Sequence, residues 1–346
     1  MSVSPKGIKH PSIGWQIDFT PWLDLMILMG MNDGKYEFLK VRRKFRHPFV
    51  TGAGSFTEVK RILIKAEMNG VVGFGEVAPW PNFDTESISQ CSDLLNSFAG
   101  NLGELTAHLN KLETGFPCLR AALSSCLYWP EIAKFESKVS WAGLVTNPSA
   151  ENIERKIAEG FKTIKIKITS TTSLSEIKSL ISRAPRDIVF RLDANGSLDM
   201  ELTSAWVNFA LSSNQIEFIE QPLPVNHPGY NLLDTKKVAL DESFISPHKF
   251  NWSGPVVVKP SLVGDWDNFL LWRKSHPNKV VYSSVFETAI GRQAALWLAQ
   301  LDPDVGAVGF DTLDQLQDDG LDRHRSGPLV EGLLNFDWLE LWRGLK

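Results

Sequence analysis

Thr163-Ile-Lys-Ile-Lys-Ile168, followed by Ile188-Val-Phe-Arg-Leu-Asp193 and Ile216-Glu-Phe-Ile-Glu220, decides the fold of this 346-residue chain. Two more short apolar runs then end in a charge, Val238-Ala-Leu-Asp241 and Val256-Val-Val-Lys259. The successive intervals from Lys167 through Asp193, Glu220 and Asp241 to Lys259 are 26, 27, 21 and 18 residues. A strand, a helix and two loops take roughly 20–30 residues in a (β/α) barrel of about 250. Charged residues at successive strand ends then converge on one mouth, where such barrels place their chemistry.

Strand parity agrees with an inward-facing charged set. Ile164, Ile166 and Ile168 share one face, which leaves Lys165 and Lys167 on the other. Phe190 and Leu192 oppose Arg191 and Asp193; Val256 and Val258 oppose Val257 and Lys259. Glu220 breaks the rule, because it shares parity with Phe218 and Ile216. Further strands are expected near 140–145, 280–284 and 306–310. Helical segments such as Ala150–Glu159 and Thr203–Ser212 lie between strands, and eight such repeats call for a parallel barrel.

The first third reads differently, as α+β. Strands are expected at Tyr36–Val41 and Glu58–Met68, with Thr51-Gly-Ala-Gly-Ser55 as a flexible break. Asn69-Gly70, between two apolar runs, is a hairpin signal. Helices are expected over Ser87–Phe98, Leu102–Leu112 and Phe116–Trp129, the last stopped by Pro130. The predicted organisation is therefore an extension of unknown role over 1–30, an α+β domain over 31–130 and a barrel over 131–325. A last segment, 326–346, carries tryptophans at 338 and 342 and is expected to pack back on the first domain.

Composition narrows the function classes. Hydrophobic content of 43% and charged content of 22% are ordinary for a globular protein. A net charge of −4 gives no nucleic-acid footprint. The apolar stretch Trp22–Met31 is short and holds Asp24, so no membrane span is expected, and nothing near the first residues reads as a signal peptide. Cys91, Cys118 and Cys126 lack metal-ligand or redox spacing, so reduced thiols in a cytoplasmic protein are expected.

Asp193, Glu220 and Asp241 offer hard oxygen donors with no sulfur or imidazole beside them, a set that suits Mg²⁺ or Mn²⁺. Each carboxylate alone also reads as a helix N-cap; three in succession, interleaved with lysines, favour the metal. Lys165 and Lys167 place two ammonium groups on one strand face, which is costly unless anions lie beside them. Like charge and desolvation lower a lysine pKa and suit it to act as a base. Lys259, before Pro260, supplies a second amine. The task such a set defines is removal of the proton next to a substrate carboxylate, with cation and ammonium stabilising the enediolate. The implied partner is a small-molecule carboxylate.

These residues resemble the enolase superfamily, in the subgroup holding muconate cycloisomerase, dipeptide epimerase and o-succinylbenzoate synthase. Lys165-Ile-Lys167 is similar to the family's K-x-K on the second barrel strand. Arg191-Leu-Asp-Ala-Asn-Gly196, Glu217-Phe-Ile-Glu-Gln-Pro222 and Leu240-Asp-Glu-Ser243 resemble its three ligand motifs, and Val258-Lys-Pro-Ser261 its sixth-strand lysine motif. The resemblance covers nearly all of the chain after about residue 35. It implies an enolase-type (β/α) barrel with an N-terminal α+β capping domain. It also implies that Phe45-Arg-His-Pro-Phe49 through Gly54 forms a loop closing over the mouth, and that Asp193, Glu220 and Asp241 hold Mg²⁺.

Tyr282-Ser-Ser-Val-Phe-Glu-Thr288 and Gly309-Phe-Asp-Thr-Leu-Asp314 resemble the o-succinylbenzoate synthases at the seventh and eighth strand ends. That branch implies a carbon–oxygen lyase of quinone biosynthesis, a syn-dehydration of a succinyl-substituted hydroxycyclohexadiene carboxylate. Lys167 would take the proton, Lys259 would remain a cation and Lys165 would sit on the carboxylate. Arg191, Ser283, Ser284, Asp311 and Thr312 would contact substrate. Arg191 also reads as a charge that only neutralises the barrel interior, and Ser283 and Ser284 as caps of the seventh strand. A racemase of N-succinylamino acids, a dipeptide epimerase and a cycloisomerase share the lysine arrangement and stay open. So does a barrel that binds without catalysing.

Overall fold

The computed structural model describes residues 34–51, 54–81, 83–112, 115–244, 252–276 and 278–346, together with a short antiparallel pair, Ile8–Lys9 with Gln16–Ile17. The remainder of 1–33, including the Trp22–Met31 stretch, lies outside the described residues.

Three antiparallel strands, Lys35–Thr51, Gly54–Met68 and Val71–Val77, form the first sheet. Asn69 and Gly70 turn the second hairpin at φ +51° and +78°, both in the left-handed region a tight type I′ turn requires. Period-2 alternation on the central strand divides two cores. Ile62, Ile64 and Ala66 face Cys91, Leu95 and Leu102, while Leu63 joins the barrel-side cluster with Phe74 and Trp129. Helices Ile88–Ser97, Leu102–Lys111 and Pro117–Ile132 cover the sheet. The first opens on a capping box between Ser87 and Gln90.

Two expectations need correction here. The first hairpin is far longer than expected, and Phe45–Thr51 belongs to a strand rather than to a loop; its pairing slips between Lys44 and Phe49, which accommodates Pro48 and its missing donor. Charged alternate positions from Lys40 to His47 hide that strand from an apolar-pattern reading. The third helix also runs through Pro130 to Ile132 instead of stopping before it. Ala133 N–H closes the last turn on Trp129 O at 2.8 Å. The carbonyl that Pro130 cannot satisfy, that of Cys126, lies against Gly73.

The barrel strands are Ala142–Val145, Thr163–Lys167, Val189–Asp193, Ile216–Glu220, Val238–Ala239, Val256–Val258 and Val280–Tyr282. The first five form one parallel sheet in sequence order, and the sixth pairs with the seventh. Bridges from Leu240 to Val256, Ser283 to Gly309 and Trp141 to Val308 close the ring through an eighth strand position near 308–309. Helices Ala150–Ala158, Leu174–Arg183, Met200–Ser212, Trp266–Ser275 and Ala289–Gln300 pack outside. Short 3₁₀ turns, Pro228–Leu232 and Thr235–Lys237, replace a helix after the fourth strand. The molecule is an α/β barrel with an N-terminal α+β layer.

The parity problem at Glu220 has a local cause. Pairing between the third and fourth strands shifts between Ile216 and Phe218, so Ile216 sits opposite Phe190 while Phe218 sits opposite Arg191. One extra residue, Glu217, flips the rest of the strand and turns Glu220 into line with Asp193. Phe218 accordingly joins Ala239, Val257 and Val281 in a small apolar layer that fills the barrel interior beneath the site.

At the carboxyl terminus, Leu329–Glu331 pairs antiparallel with Lys138–Ser140. Helix Trp338–Gly344 then sets Trp338 edge-on to Trp129, and Trp342 donates to Glu37 Oε1 at 3.2 Å.

Candidate active site

Register brings the charged strand ends together. Lys167 pairs beside Asp193, and Asp193 beside Glu220, so three strands deliver their last side chains at one level. Asp241 follows the fifth strand two residues beyond Ala239, which itself pairs with Glu220. Asp193, Glu220 and Asp241 are all buried. Asp193 is no helix cap, since Asp199 accepts from Leu202 N–H and caps the helix that follows.

The lysines answer these charges. Lys165 Nζ lies 2.7 Å from Asp193 Oδ2 and 2.6 Å from Glu220 Oε1. Lys167 Nζ lies 2.7 Å from the same Asp193 oxygen and also donates to Asn195 Oδ1. Lys259 donates to Asp241 Oδ1 and sits 4.6 Å over the ring of Phe83, which the capping layer supplies. In an eight-membered ring the second and sixth strands are diametric, so Lys167 and Lys259 project from opposite walls.

Electrostatics follow from burial and from those pairs. Burial works against ionisation of Asp193, but Lys165 and Lys167 outweigh it and hold its carboxyl well below the usual range. Glu220 is pushed up to about 7, by burial first and then by the Asp193 charge. Burial and the Asp193 charge also raise Glu242. Lys165 departs from the expected lowering. Burial does press its pKa down, but Asp193, Glu220 and Asp241 overcome that and keep it a firm cation.

Among the described residues, no three His, Cys, Asp or Glu side chains cluster closely enough to cage an ion as they stand, because ammonium groups lie between the carboxylates. The donor set still fits a hard divalent cation. Four buried acids face three lysines, and all their donor atoms are oxygen. Glu242 Oε2 is buried without a hydrogen-bond partner beside Asp241. An orphaned carboxylate oxygen at this depth is a position a cation or its water would satisfy.

Several residues that shape the site carry no expectation from the sequence. Asn195, at φ +43°, accepts from Lys167 and donates to Glu242 Oε1 at 3.0 Å. Gln221, at φ +39°, accepts from the backbone N–H of Asp241 and Ser243, each at 3.0 Å. It also donates to Ser243 Oγ at 2.7 Å. Both lie inside the quoted motifs, and their polar side chains next to a ligand position were the available signal. Phe49, Trp80 and Phe286 roof the pocket with edge-to-face and tilted contacts, Phe49 and Phe286 being 4.7 Å apart. Phe49 lies in the stretch that the resemblance places over the mouth, whereas Trp80 and Phe286 come from elsewhere in the chain and carry no such signal.

The expected substrate contacts divide. Ser283, Ser284, Asp311 and Thr312 all line the pocket. Ser284 Oγ donates to Glu287, and Ser283 Oγ donates to Gly309 O at 3.2 Å. Thr312 Oγ1 lies 3.3 Å from Ser284 Oγ. Arg191 is not brought to the pocket. It points into the barrel, pairs with Glu217 Oε2 at 2.6 Å, donates to Ala307 O at 2.7 Å and lies over Phe218. The bulge that reorients the fourth strand also presents Glu217 to Arg191, so the guanidinium neutralises the interior, and the expected contact with a substrate tail is withdrawn.

A family model described as enolase C-terminal domain-like matches residues 149–252. An o-succinylbenzoate synthase of Thermosynechococcus vestitus is 29% identical over 325 residues, covering 87% of this chain and 96% of the relative. The crystal structure of o-succinylbenzoate synthase from Thermosynechococcus elongatus BP-1, with Mg in its active site, superposes with a TM-score of 0.74 at 26% identity, covering 90% of this chain and 99% of that one. A dipeptide epimerase from Methylococcus capsulatus, bound to Mg and the dipeptide L-Arg-D-Lys, shares the fold with a TM-score of 0.70 at 17% identity, covering 86% and 96%. The resemblance carried by the five motifs is shown: the chain is similar to enolase-superfamily barrels, and among them to o-succinylbenzoate synthases.

Proposed function

We propose that this enolase-type chain is a Mg²⁺-dependent o-succinylbenzoate synthase, a hydro-lyase that dehydrates 2-succinyl-6-hydroxy-2,4-cyclohexadiene-1-carboxylate to 2-succinylbenzoate. The observation that carries the reading is the opposition of Lys167 and Lys259 across a pocket lined by Asp193, Asp241 and Glu242, with Glu220 buried behind Lys165. Asp193, Glu220 and Asp241 would hold the cation, with Glu242 in reach of its water. Bound there, Mg²⁺ supplies Lewis-acid stabilisation of the substrate carboxylate as negative charge gathers on it.

The chain's own groups divide the remaining work. Lys165, a firm cation between Asp193 and Glu220, orients the carboxylate. Lys167 takes the proton alpha to that carboxylate, leaving the electron pair in an enediolate. Lys259, fixed by Asp241 and Phe83, stays protonated and faces the developing charge. Collapse of the enediolate expels hydroxide from the neighbouring ring carbon, and Lys167 returns its proton to it as water. The ring becomes aromatic, which makes this step downhill. Phe49, Trp80 and Phe286 shield the intermediate from solvent.

The test is conversion of the cyclohexadiene carboxylate followed by ultraviolet absorbance, with and without EDTA. Turnover that EDTA abolishes and Mg²⁺ restores is expected; no turnover with metal present overturns the reading. Lysines on opposite walls also suit a racemase. Incubation with an N-succinylamino acid in D₂O separates the two, since α-proton exchange with racemisation belongs only to the second.

A further inference from the structure

One charged residue outside the pocket governs a carboxylate inside it. Asp311, at the end of the eighth strand position, lines the pocket yet its side chain is only 2% exposed. Its Oδ2 accepts from Leu144 N–H at 2.8 Å and lies 2.7 Å from Lys156 Nζ; its Oδ1 accepts from Ser326 Oγ. Lys156 belongs to the first outer helix, Ala150–Ala158, and is itself buried. It reaches Asp311 across the first barrel strand at Gly143. A Cβ at that position would stand 3.1 Å from Lys156 Cδ and 3.0 Å from the Phe161 ring. The ammonium also lies 4.8 Å over Phe161 and 3.2 Å from Glu159.

We propose that Lys156 sets the charge selectivity of the pocket by holding Asp311 in an ion pair, so that the eighth-strand end offers no free carboxylate to a cationic substrate group. A buried carboxylate must find a cation. If the protein did not provide one from behind, an ammonium-bearing ligand entering from the mouth would. With Lys156 in place that demand is met, and a ligand arm that reaches this end of the pocket is admitted when anionic or neutral. Lys156 is thus a positioning residue that acts through Asp311, and Gly143 leaves the room its stem requires. The inference rests on the proposed reaction for its choice of ligand, a dianion with a carboxylate at each end.

The test measures charge preference in binding, independently of turnover. Calorimetric titrations with saturating Mg²⁺ compare 2-succinylbenzoate with a counterpart whose side-chain carboxylate is replaced by an aminomethyl group. The wild type should prefer the dianion. Lys156→Met should move the affinity ratio toward the ammonium ligand by about tenfold or more, and raise KM for the dianionic substrate while kcat changes by less than about twofold. Lys156→Arg keeps the charge and should stay near wild type. Lys156→Met combined with Asp311→Asn removes both charges, leaves no buried ion unpaired and should return the ratio toward wild type, so a folding defect of the single variant is told apart. A ratio unmoved in Lys156→Met, a double variant shifted like the single one, or a wild type that binds neither ligand overturns the proposal. A wild type that shows the shift on mutation but never dehydrates the cyclohexadiene carboxylate sinks the proposed reaction and leaves the charge selectivity standing.

Discussion

At the scale of single residues, the site works because side chains with one apparent task are fastened by others with none of their own. Lys167 is held by Asp193 and Asn195, and Asn195 in turn holds Glu242. Lys167→Ala should lower the proposed dehydration by about 10²–10⁴-fold, the usual worth of a positioned acid–base group. Calorimetry should still find Mg²⁺ binding, because the three carboxylates remain; near-normal turnover would remove Lys167 as the base. Gln221 is the less obvious case. Its amide ties the fourth strand to the turn after the fifth, by accepting from Asp241 and Ser243 and donating to Leu223 O and Ser243 Oγ. Gln221→Ala would leave two buried N–H groups unpaired, at a cost of about 2–4 kcal/mol. Denaturant titration should show that loss together with weaker Mg²⁺ affinity, since Asp241 loses its anchor. A variant as stable as wild type would mean that water fills the gap.

At the scale of elements, close approach rather than propensity sets several features. Strand Val71–Val77 lies directly on helix Pro117–Ile132 because Gly73 and Gly75 have no Cβ; one built at either position would stand 2.0 Å from a helix carbonyl, of Cys126 or Ala122. Gly73→Ala should therefore destabilise the protein by about 3 kcal/mol or more, as overpacking against backbone does, read as a lowered denaturation midpoint. An unchanged midpoint would show that strand and helix can part freely. The same contact explains what the sequence concealed about this helix. Pro130 reads as a stop, but it falls in the last turn, where only one bond is lost. The barrel was legible because its strands end in charges at steady intervals, and Lys165, Lys167, Asp193 and Lys259 fall on the face that period-2 counting gives them. Glu220 was legible as a strand end but not as inward, because a bulge one residue wide has no signature in apolar alternation. Arg191 was misread for the same reason: its partner Glu217 is the bulge residue. The ribbon that carries Phe49 was hidden by charged alternate positions, and its reach to Phe286 depends on how two domains meet.

At the scale of the whole molecule, the capping sheet is fixed to the barrel by buried polar groups, which keeps its aromatic residues over the mouth. Glu76 accepts from Thr288 N–H at 2.9 Å, Thr288 O–H at 2.6 Å and Gly291 N–H at 3.1 Å, at the start of the helix after the seventh strand. Arg43 reaches Asp319 at 2.8 Å, and Arg61 donates to Val285 O. Behind that helix, Gln293 Oε1 takes both Leu333 N–H at 2.9 Å and His324 Nε2 at 3.1 Å, joining the barrel to the carboxyl-terminal segment. Burial, helped by the Arg292 charge, pushes the His324 pKa down to about 3. The ring is therefore neutral in the folded protein, whereas the unfolded chain protonates it near pH 6.5. Its contribution to stability is complete above about pH 6.5 and is lost progressively as pH falls from there toward 3, by up to about 5 kcal/mol. His324→Asn keeps a donor for Gln293 and removes the titration. Unfolding free energies of wild type and variant should accordingly converge on acidification between about pH 7 and 4, with the wild-type curve falling more steeply. Parallel curves across that interval would show that His324 takes its proton equally well in the folded state, and would place the acid sensitivity of this junction elsewhere.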